Sequence, residues 1–528
     1  MTVIPIAHSA APVPKQQVHF RRHAGYLIFS FCASLYLLPF IRLIQQRTDE
    51  GIFLSGAVRI LHGQIFARDF VEIMGPGTFY WLAAFFKLFG VSFMASRVSL
   101  FITSLGTCML LYYLSRRISR SYHSLPVILV IASYYGSVWP AISHHTDSNF
   151  AVLLAFTCLL LWYDKPRNSL LIATGALAGA ATFIFQHKGI LMLCAFLAWL
   201  WIQHRRKLAS RSSLVYLGAG YLGVVGLVLA YFWSRGALGS LAYWNVLFPF
   251  LRYGPANAVP YAHGIIQDYW SHWVIAKSGF GWTVAMASIL VVPLLFVAAL
   301  PALVVILGIS QGAKSLQPEL LLYWLAGWAL WLSEIQRMDI VHLAFGSPLL
   351  VILCIYLLGE SRGKLALSSL QILAITGTCL AIFNLILVLK AQPVVTRVGS
   401  VAMFGEDRVL KALDDHVTAG EEIFIYPYCP TYYFLSSTTN PTRFSGAYNG
   451  NDIAPFREIV QVLEQHKVRH VLWDTTFEER ILQSNFPGST SMTPGRLVIE
   501  PYLESHYTSV AEEDGFRVME RKSEDHAR

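Results

Sequence analysis

The chain is built around long apolar runs whose interiors carry almost no charge. The first spans about 24–45. Others lie near 97–115, 124–142, 149–163, 169–185, 189–203, 213–233, 283–308, 319–333, 342–358 and 366–389. An α-helix rises 1.5 Å per residue, so about 20 apolar residues cross a hydrocarbon core of about 30 Å. Several runs are shorter, and their helices are expected to extend a few residues beyond them. Composition agrees: 55% of the 528 residues are hydrophobic and 13% are charged, with a mean hydropathy of +0.50. Soluble domains carry about 25% charged residues. A soluble enzyme, a disordered chain and a nucleic-acid-binding module are thereby excluded. In a polytopic membrane protein the net charge of +9 is informative through its distribution rather than as the mark of a polyanionic partner.

Arg21, Arg22 and His23 precede the first run, which shows no small-residue cleavage site and reads as an uncleaved anchor. Residues 76–93 could span or lie at the interface. They carry Lys87, the Gly75-Pro76-Gly77 breaker and the aromatics Phe79, Tyr80, Trp81, Phe85, Phe86 and Phe89. If the segment does not span, fifteen Lys and Arg residues fall on the N-terminal side of the membrane and five in the outer loops beyond the first. If it spans, most of those charges move outside, so the positive-inside rule favours the interfacial reading. The expected layout has eleven spans, the N-terminus in the cytoplasm and the C-terminus outside. Residues 1–23 form a cytoplasmic tail, 24–389 the membrane domain with outer loops 46–96 and 234–282, and 390–528 an outer domain.

In the first outer loop, Leu54, Ala57, Val58, Leu61 and Ile65 recur at helical spacing opposite Ser55, Arg59 and His62, a pattern for a helix lying on the outer leaflet. Beyond about 395 charged residues become frequent. Residues 421–428 and 469–474 read as strands, 453–466 as a helix capped by Asp452, and 474–484 as another helix, which together make a small α/β domain. It has no glycine-rich phosphate loop and no nucleophile elbow, so it reads as an acceptor-binding or structural module. Six of seven cysteines sit in apolar stretches and only Cys429 in a polar one, which leaves no intrachain disulfide there. No cysteine–histidine spacing for structural zinc occurs, and no internal repeat marks a transporter's inverted halves.

Ionisable groups inside a membrane are functional by default, and here they gather at one depth, the outer boundary. Asp49 and Glu50 directly follow the first span. At a helix start either carboxylate can serve as a general base, and equally either can merely cap the helix. His144, His145 and Asp147 fall in the loop before the fourth span, where they could meet a divalent cation or a phosphate. Lys188 sits in the turn before the sixth span, placed outside against the charge bias. It either meets an anion such as a lipid phosphate or snorkels. Glu334, Arg337, Asp339 and His342 occupy the turn before the tenth span. Arg337 can grip phosphate bidentately or pair with Glu334 or Asp339. Arg68 and Asp69 read as another pair.

The order of these features resembles the GT-C glycosyltransferases that use polyprenyl-phosphate sugars. The nearest branch holds the protein O-mannosyltransferases, the lipid A aminoarabinose transferase and the lipopolysaccharide-core galacturonosyltransferases. The resemblance rests on residues 49–117, which run from the acidic pair through EGIFLSGAVRILHGQIFARDF and GPGTFYWLAAFFKLFG to an Arg-initiated span ending YYLSRR. It extends to the turn RMDIVH at 337–342. It implies a polytopic α-helical GT-C fold and names Asp49 as the catalytic base, assisted by Glu50. It places His144, His145 and Asp147 at an acceptor or second-loop site, and Lys188, Arg337 and His342 near the donor phosphate. Arg59, Arg68 and Asp69 are supporting residues. A divalent cation is left open, with Glu50, His145 and Asp147 as its candidate ligands. Two departures stand out. Met74-Gly75-Pro76-Gly77 replaces a His-Pro-Pro element, and the tail from 390 matches nothing that names a substrate.

The expected activity is inverting transfer of a sugar from a polyprenyl-phosphate donor to a lipid, glycan or protein of the cell envelope, at the outer face of the cytoplasmic membrane, with no nucleic acid involved. A transporter or lipid flippase is the alternative from another class. An inactive GT-C-like scaffold is the third.

Overall fold

The computed structural model describes residues 15–44, 49–119, 121–134, 141–249, 251, 259, 261, 280–312, 316–335, 337–361, 363–446, 454–478 and 493–523. Most of the loop 234–282 lies outside them, as do Asp452, Arg120, Arg252, Lys277, Lys314 and Arg362.

Every apolar run falls on a helix. In chain order these are α1 (Lys15–Leu37), α4 (Phe93–Ile118), α5 (Leu125–Tyr134), α6 (His144–Asp164), α7 (Asn168–Ile184), α8 (Gln186–Arg205) and α9 (Arg211–Ser234). After a short α10 (Leu238–Ala242) come α11 (Phe280–Gln311), α12 (Pro318–Leu332), α13 (Ile340–Gly346), α14 (Pro348–Glu360) and α15 (Lys364–Val388). Among the described residues, α4, α6, α9 and α15 are each long and apolar enough to cross a bilayer, and the bent pair α13–α14 makes a fifth. The run 342–358 was expected as one span. It breaks at Ser347-Pro348 with a 70° bend, because proline donates no backbone hydrogen bond and crowds the residue before it out of helical geometry.

Helix α7 packs against α6, α8 and α9. Its contact with α9 is made by reciprocal glycines. A Cβ on Gly175 would lie 2.0 Å from the Leu217 carbonyl, and one on Gly220 would lie 2.1 Å from the Ile172 carbonyl. Such small residues let helices pack backbone to backbone where lipid removes the hydrophobic drive to associate. At the C-terminal ends of α4 and α6, Arg117 holds Asp164 through two 2.6 Å bonds and also binds Glu319 at the start of α12.

The segment expected as the first outer loop folds into α2 (Glu50–Leu61) and α3 (Gly77–Phe89). Helix α3 buries Phe79, Leu82 and Phe86 and leaves Trp81, Leu88 and Phe89 uncovered by protein. Helix α2 differs from its expected place on the leaflet surface. Its polar residues Ser55, Arg59 and His62 line a cavity against the C-terminal domain, with Ser55 and Arg59 half-buried and His62 exposed, and Gly51 admits the backbone of that domain.

The C-terminal domain starts with the hairpin β1 (Gln392–Thr396) and β2 (Gly399–Met403). It continues through α16 (Arg408–His416), β3 (Ile423–Tyr426), α17 (Thr431–Leu435), α18 (Ala454–Gln465), β4 (His470–Asp474), α19 (Thr493–His506), β5 (Tyr507–Glu513) and β6 (Phe516–Arg521). The main sheet has order β3-β4-β6-β5, with β3 and β4 parallel and the other pairs antiparallel. Strands β3 and β4 are buried at every position, as continuous apolar strands beneath a crossover require. Both lie in the segments expected as strands. The helix expected over 474–484 lies mostly outside the described residues.

Candidate active site

His144, His145 and Asp147 were expected in a loop but form the first turn of α6. Ser143 in extended conformation caps that helix, its hydroxyl accepting the His145 amide at 3.2 Å. Lys188 likewise belongs to the first turn of α8 rather than to a free turn. The helix starts are therefore stacked at the same end of the bundle.

Lys188 is fully buried. Its ammonium donates to Asn149 Oδ1 at 2.8 Å and pairs with Glu334 Oε1 at 2.9 Å. Asn149 in turn donates to the Phe345 carbonyl at 2.9 Å, so α6, α8, α13 and the turn after α12 are tied together by one polar chain. His145 lies flat on Phe345, 4.7 Å between ring centres, with Phe185 edge-on at 5.1 Å. Its Nδ1 sits 3.3 Å from Glu334. His342 stands perpendicular to His145 at 4.8 Å and binds Asp339 Oδ1 through Nδ1 at 2.7 Å. Arg337 pairs with Asp339 Oδ2 at 2.7 Å rather than with Glu334. Asp339 also caps α13, accepting the Val341 and His342 amides at 3.1 Å each. Burial works to raise the Asp339 pKa, but His342 and Arg337 outweigh it and hold the carboxyl below the usual range.

Asp49 and Glu50 part company. Glu50 is buried and grips Arg97 of α4 with both oxygens, and Oε1 also accepts the Ile142 amide at 2.9 Å. Arg97 lies 4.1 Å over the Phe93 ring. This pair fastens α2 to the start of α4. Asp49 occupies the cap position of α2 but makes no cap hydrogen bond. Its Oδ1 instead accepts the Tyr428 hydroxyl, a residue of the C-terminal domain. It is the exposed member of the pair.

The supporting residues brace the same loop. Arg68 and Asp69 form a bidentate pair at 2.9 Å, and Asp69 also accepts the Ile65 amide at 2.6 Å. Arg59 reaches Gln64, the Thr442 carbonyl and the Asp69 carbonyl at 2.6, 2.9 and 3.1 Å, joining α2 to the C-terminal domain. Between α2 and that domain lies a cavity of about 240 Å³, lined among others by Arg59, Glu72, Tyr433 and Asn440. Burial, aided by the nearby Asp49 charge, pushes the Glu72 carboxyl up to about 8.

Of the expected metal ligands, only His145 lies, among the described residues, in a group able to hold a cation, with Glu334 and His342. Glu50 is taken by Arg97. Asp147 is buried beside Thr78, with Oδ2 making no hydrogen bond. Asn149, Arg97, Glu72 and Tyr428 belong to the site or its supports and were not anticipated. Arg97 had a visible signal, an arginine opening an apolar run.

The helical membrane bundle has the GT-C fold, as its likeness to solved structures shows. More particularly, residues 74–233 match the family of dolichyl-phosphate-mannose-protein mannosyltransferases. The whole chain superposes on ArnT from Cupriavidus metallidurans bound to undecaprenyl phosphate, with a TM-score of 0.54 and 11% identity over 95% of this chain and 98% of that one. The apo form of the same protein gives 0.53 and 11%, over 94% and 98%. At that identity the common property is the fold. No curated protein sequence matches this chain.

Proposed function

We propose that the protein is a multi-pass membrane glycosyltransferase that moves a sugar from a polyprenyl-phosphate donor to an envelope lipid, glycan or protein. The carrying observation is Asp49: a carboxylate at a helix start, released from capping and held by Tyr428 at the junction of the two domains. The matched family's name and the undecaprenyl phosphate of the fold relative support a lipid-phosphate donor. In this reading Asp49 takes the proton of an acceptor hydroxyl, the oxygen attacks the anomeric carbon, and the lipid phosphate leaves from the opposite face. One displacement inverts the centre. Arg337 meets the departing phosphate, and His342 shares Asp339 with Arg337. The Lys188 ammonium is engaged by Asn149 and Glu334, and it positions that wall. The site faces outward from the cytoplasmic membrane, where no nucleotide sugar is at hand.

The test is transfer of radiolabelled sugar from a synthetic polyprenyl-phosphate donor by protein in nanodiscs, with membrane extract as acceptor. Loss of a general base costs roughly 10²–10⁴-fold, so Asp49→Asn should fall by that factor. Turnover by Asp49→Asn at the wild-type rate would remove Asp49 from the chemistry.

A further inference from the structure

We infer that His145, Glu334 and His342 form a divalent-cation site of the two-histidine, one-carboxylate type. One ligand-capable atom from each lies within 4.8 Å of the others, and they come from the start of α6, the turn after α12 and the start of α13. Zinc-type bonds of about 2.1 Å set neighbouring ligand atoms about 3.4 Å apart, so closure about a cation asks for a contraction of about 1 Å. Two histidines and one carboxylate are the donor set of catalytic zinc and related first-row cations, which keep further positions open.

Three features beyond proximity support the assignment. Glu334 has one oxygen on Lys188, while its buried Oε2 makes no hydrogen bond and lies 3.3 Å from His145 Nδ1. His342 turns Nδ1 to Asp339, which leaves Nε2 as the nitrogen for a cation and reproduces the carboxylate–histidine support common behind metal ligands. The His145 ring is fixed by Phe345 and Phe185, so little rotamer freedom is lost on binding.

Charge sets the conditions. Lys188 and Arg337 already balance Glu334 and Asp339. A divalent cation adds two positive charges in a buried place, which an anionic co-ligand relieves. Binding should therefore tighten with inorganic phosphate, and Lys188→Met, which removes a competing cation from Glu334, should tighten it too.

The assignment rests on metal binding alone and is independent of the transferase reading. Co²⁺, a spectroscopic stand-in for Zn²⁺, is titrated into tag-free full-length protein in nanodiscs with inorganic phosphate, followed by visible absorption and by metal content after equilibrium dialysis. One Co²⁺ per chain is expected, lost in His342→Gln. Asp339→Asn keeps a good helix cap and should weaken the affinity about 10- to 100-fold. Absence of bound Co²⁺ at millimolar concentration would overturn the site, as would equal binding by wild type, His342→Gln and Asp339→Asn.

Discussion

Glu50 and Arg97 stand 47 positions apart, and no local period links them. The acidic pair 49–50 was visible because helical spacing begins directly after it, but which of the two would be buried depended on Arg97 arriving from α4. The same holds for Lys188, whose partners are Asn149 on α6 and Glu334 in the turn after α12. Arg68 and Asp69, by contrast, are adjacent, and their pairing was legible. A buried pair broken on one side leaves an uncompensated charge, at a cost of about 3–5 kcal/mol. Glu50→Gln should therefore lower the unfolding temperature sharply, and Glu50→Gln with Arg97→Met should recover part of the loss; scanning fluorimetry in nanodiscs reads both. Glu72 makes a pH prediction. Its folded value of about 8 exceeds the ordinary 4.5, so the native protein binds the extra proton between those values. The contribution of this group to stability is fullest below about pH 4.5, falls as pH rises towards 8 and is lost above it. Glu72→Gln should flatten the pH dependence of unfolding across that window, and an unchanged slope would count against the buried carboxyl.

Among the elements, α4, α6, α9 and α15 were readable because bilayer thickness imposes length on a helix regardless of partners. Strands β3 and β4 were readable as short continuous apolar runs bounded by polar residues. The hairpin β5–β6 was missed, although its turn carries Asp514-Gly515 with positive φ at both, the geometry that Asp-Gly favours between strands. Its strands are largely polar on the open face, which hid the alternation. The packing of α2 against the C-terminal domain was beyond reach, since the partners of Arg59 there, such as the Thr442 carbonyl, lie hundreds of residues away. Gly51 makes the packing possible: a Cβ there would lie 2.1 Å from the Thr431 backbone nitrogen. Gly51→Val should separate α2 from α17 and expose both to exchange. Hydrogen–deuterium exchange should rise at 50–61 and 431–435 while α7 and α9 stay protected, and transfer should fall with it. Unaltered exchange in α2 would mean that the contact is not tight in solution.

For the whole molecule, the two domains meet at the proposed base, and this changes what removing the C-terminal domain can mean. Deleting residues after 390 takes away Tyr428, the wall of the cavity beside α2 and the cover over Gly51 and Ile52. Loss of activity in the truncated protein is therefore expected whether the domain works by itself or serves Asp49. A single atom separates the two. Tyr428→Phe keeps the ring and its packing near Phe477 and removes only the hydroxyl that holds Asp49. A hydrogen bond to a charged group contributes about 1.5–3 kcal/mol, so if that hold matters fully in the transition state, turnover should drop roughly tenfold to a hundredfold. Exchange at 431–435 should remain as in wild type. Asp49→Asn should lose more, and Tyr428→Phe added to it should cost little further, because the two side chains act as one unit. Additive losses, with each change costing the same alone or together, would place Tyr428 in a separate task and break the link between the domains on which the proposed reaction depends.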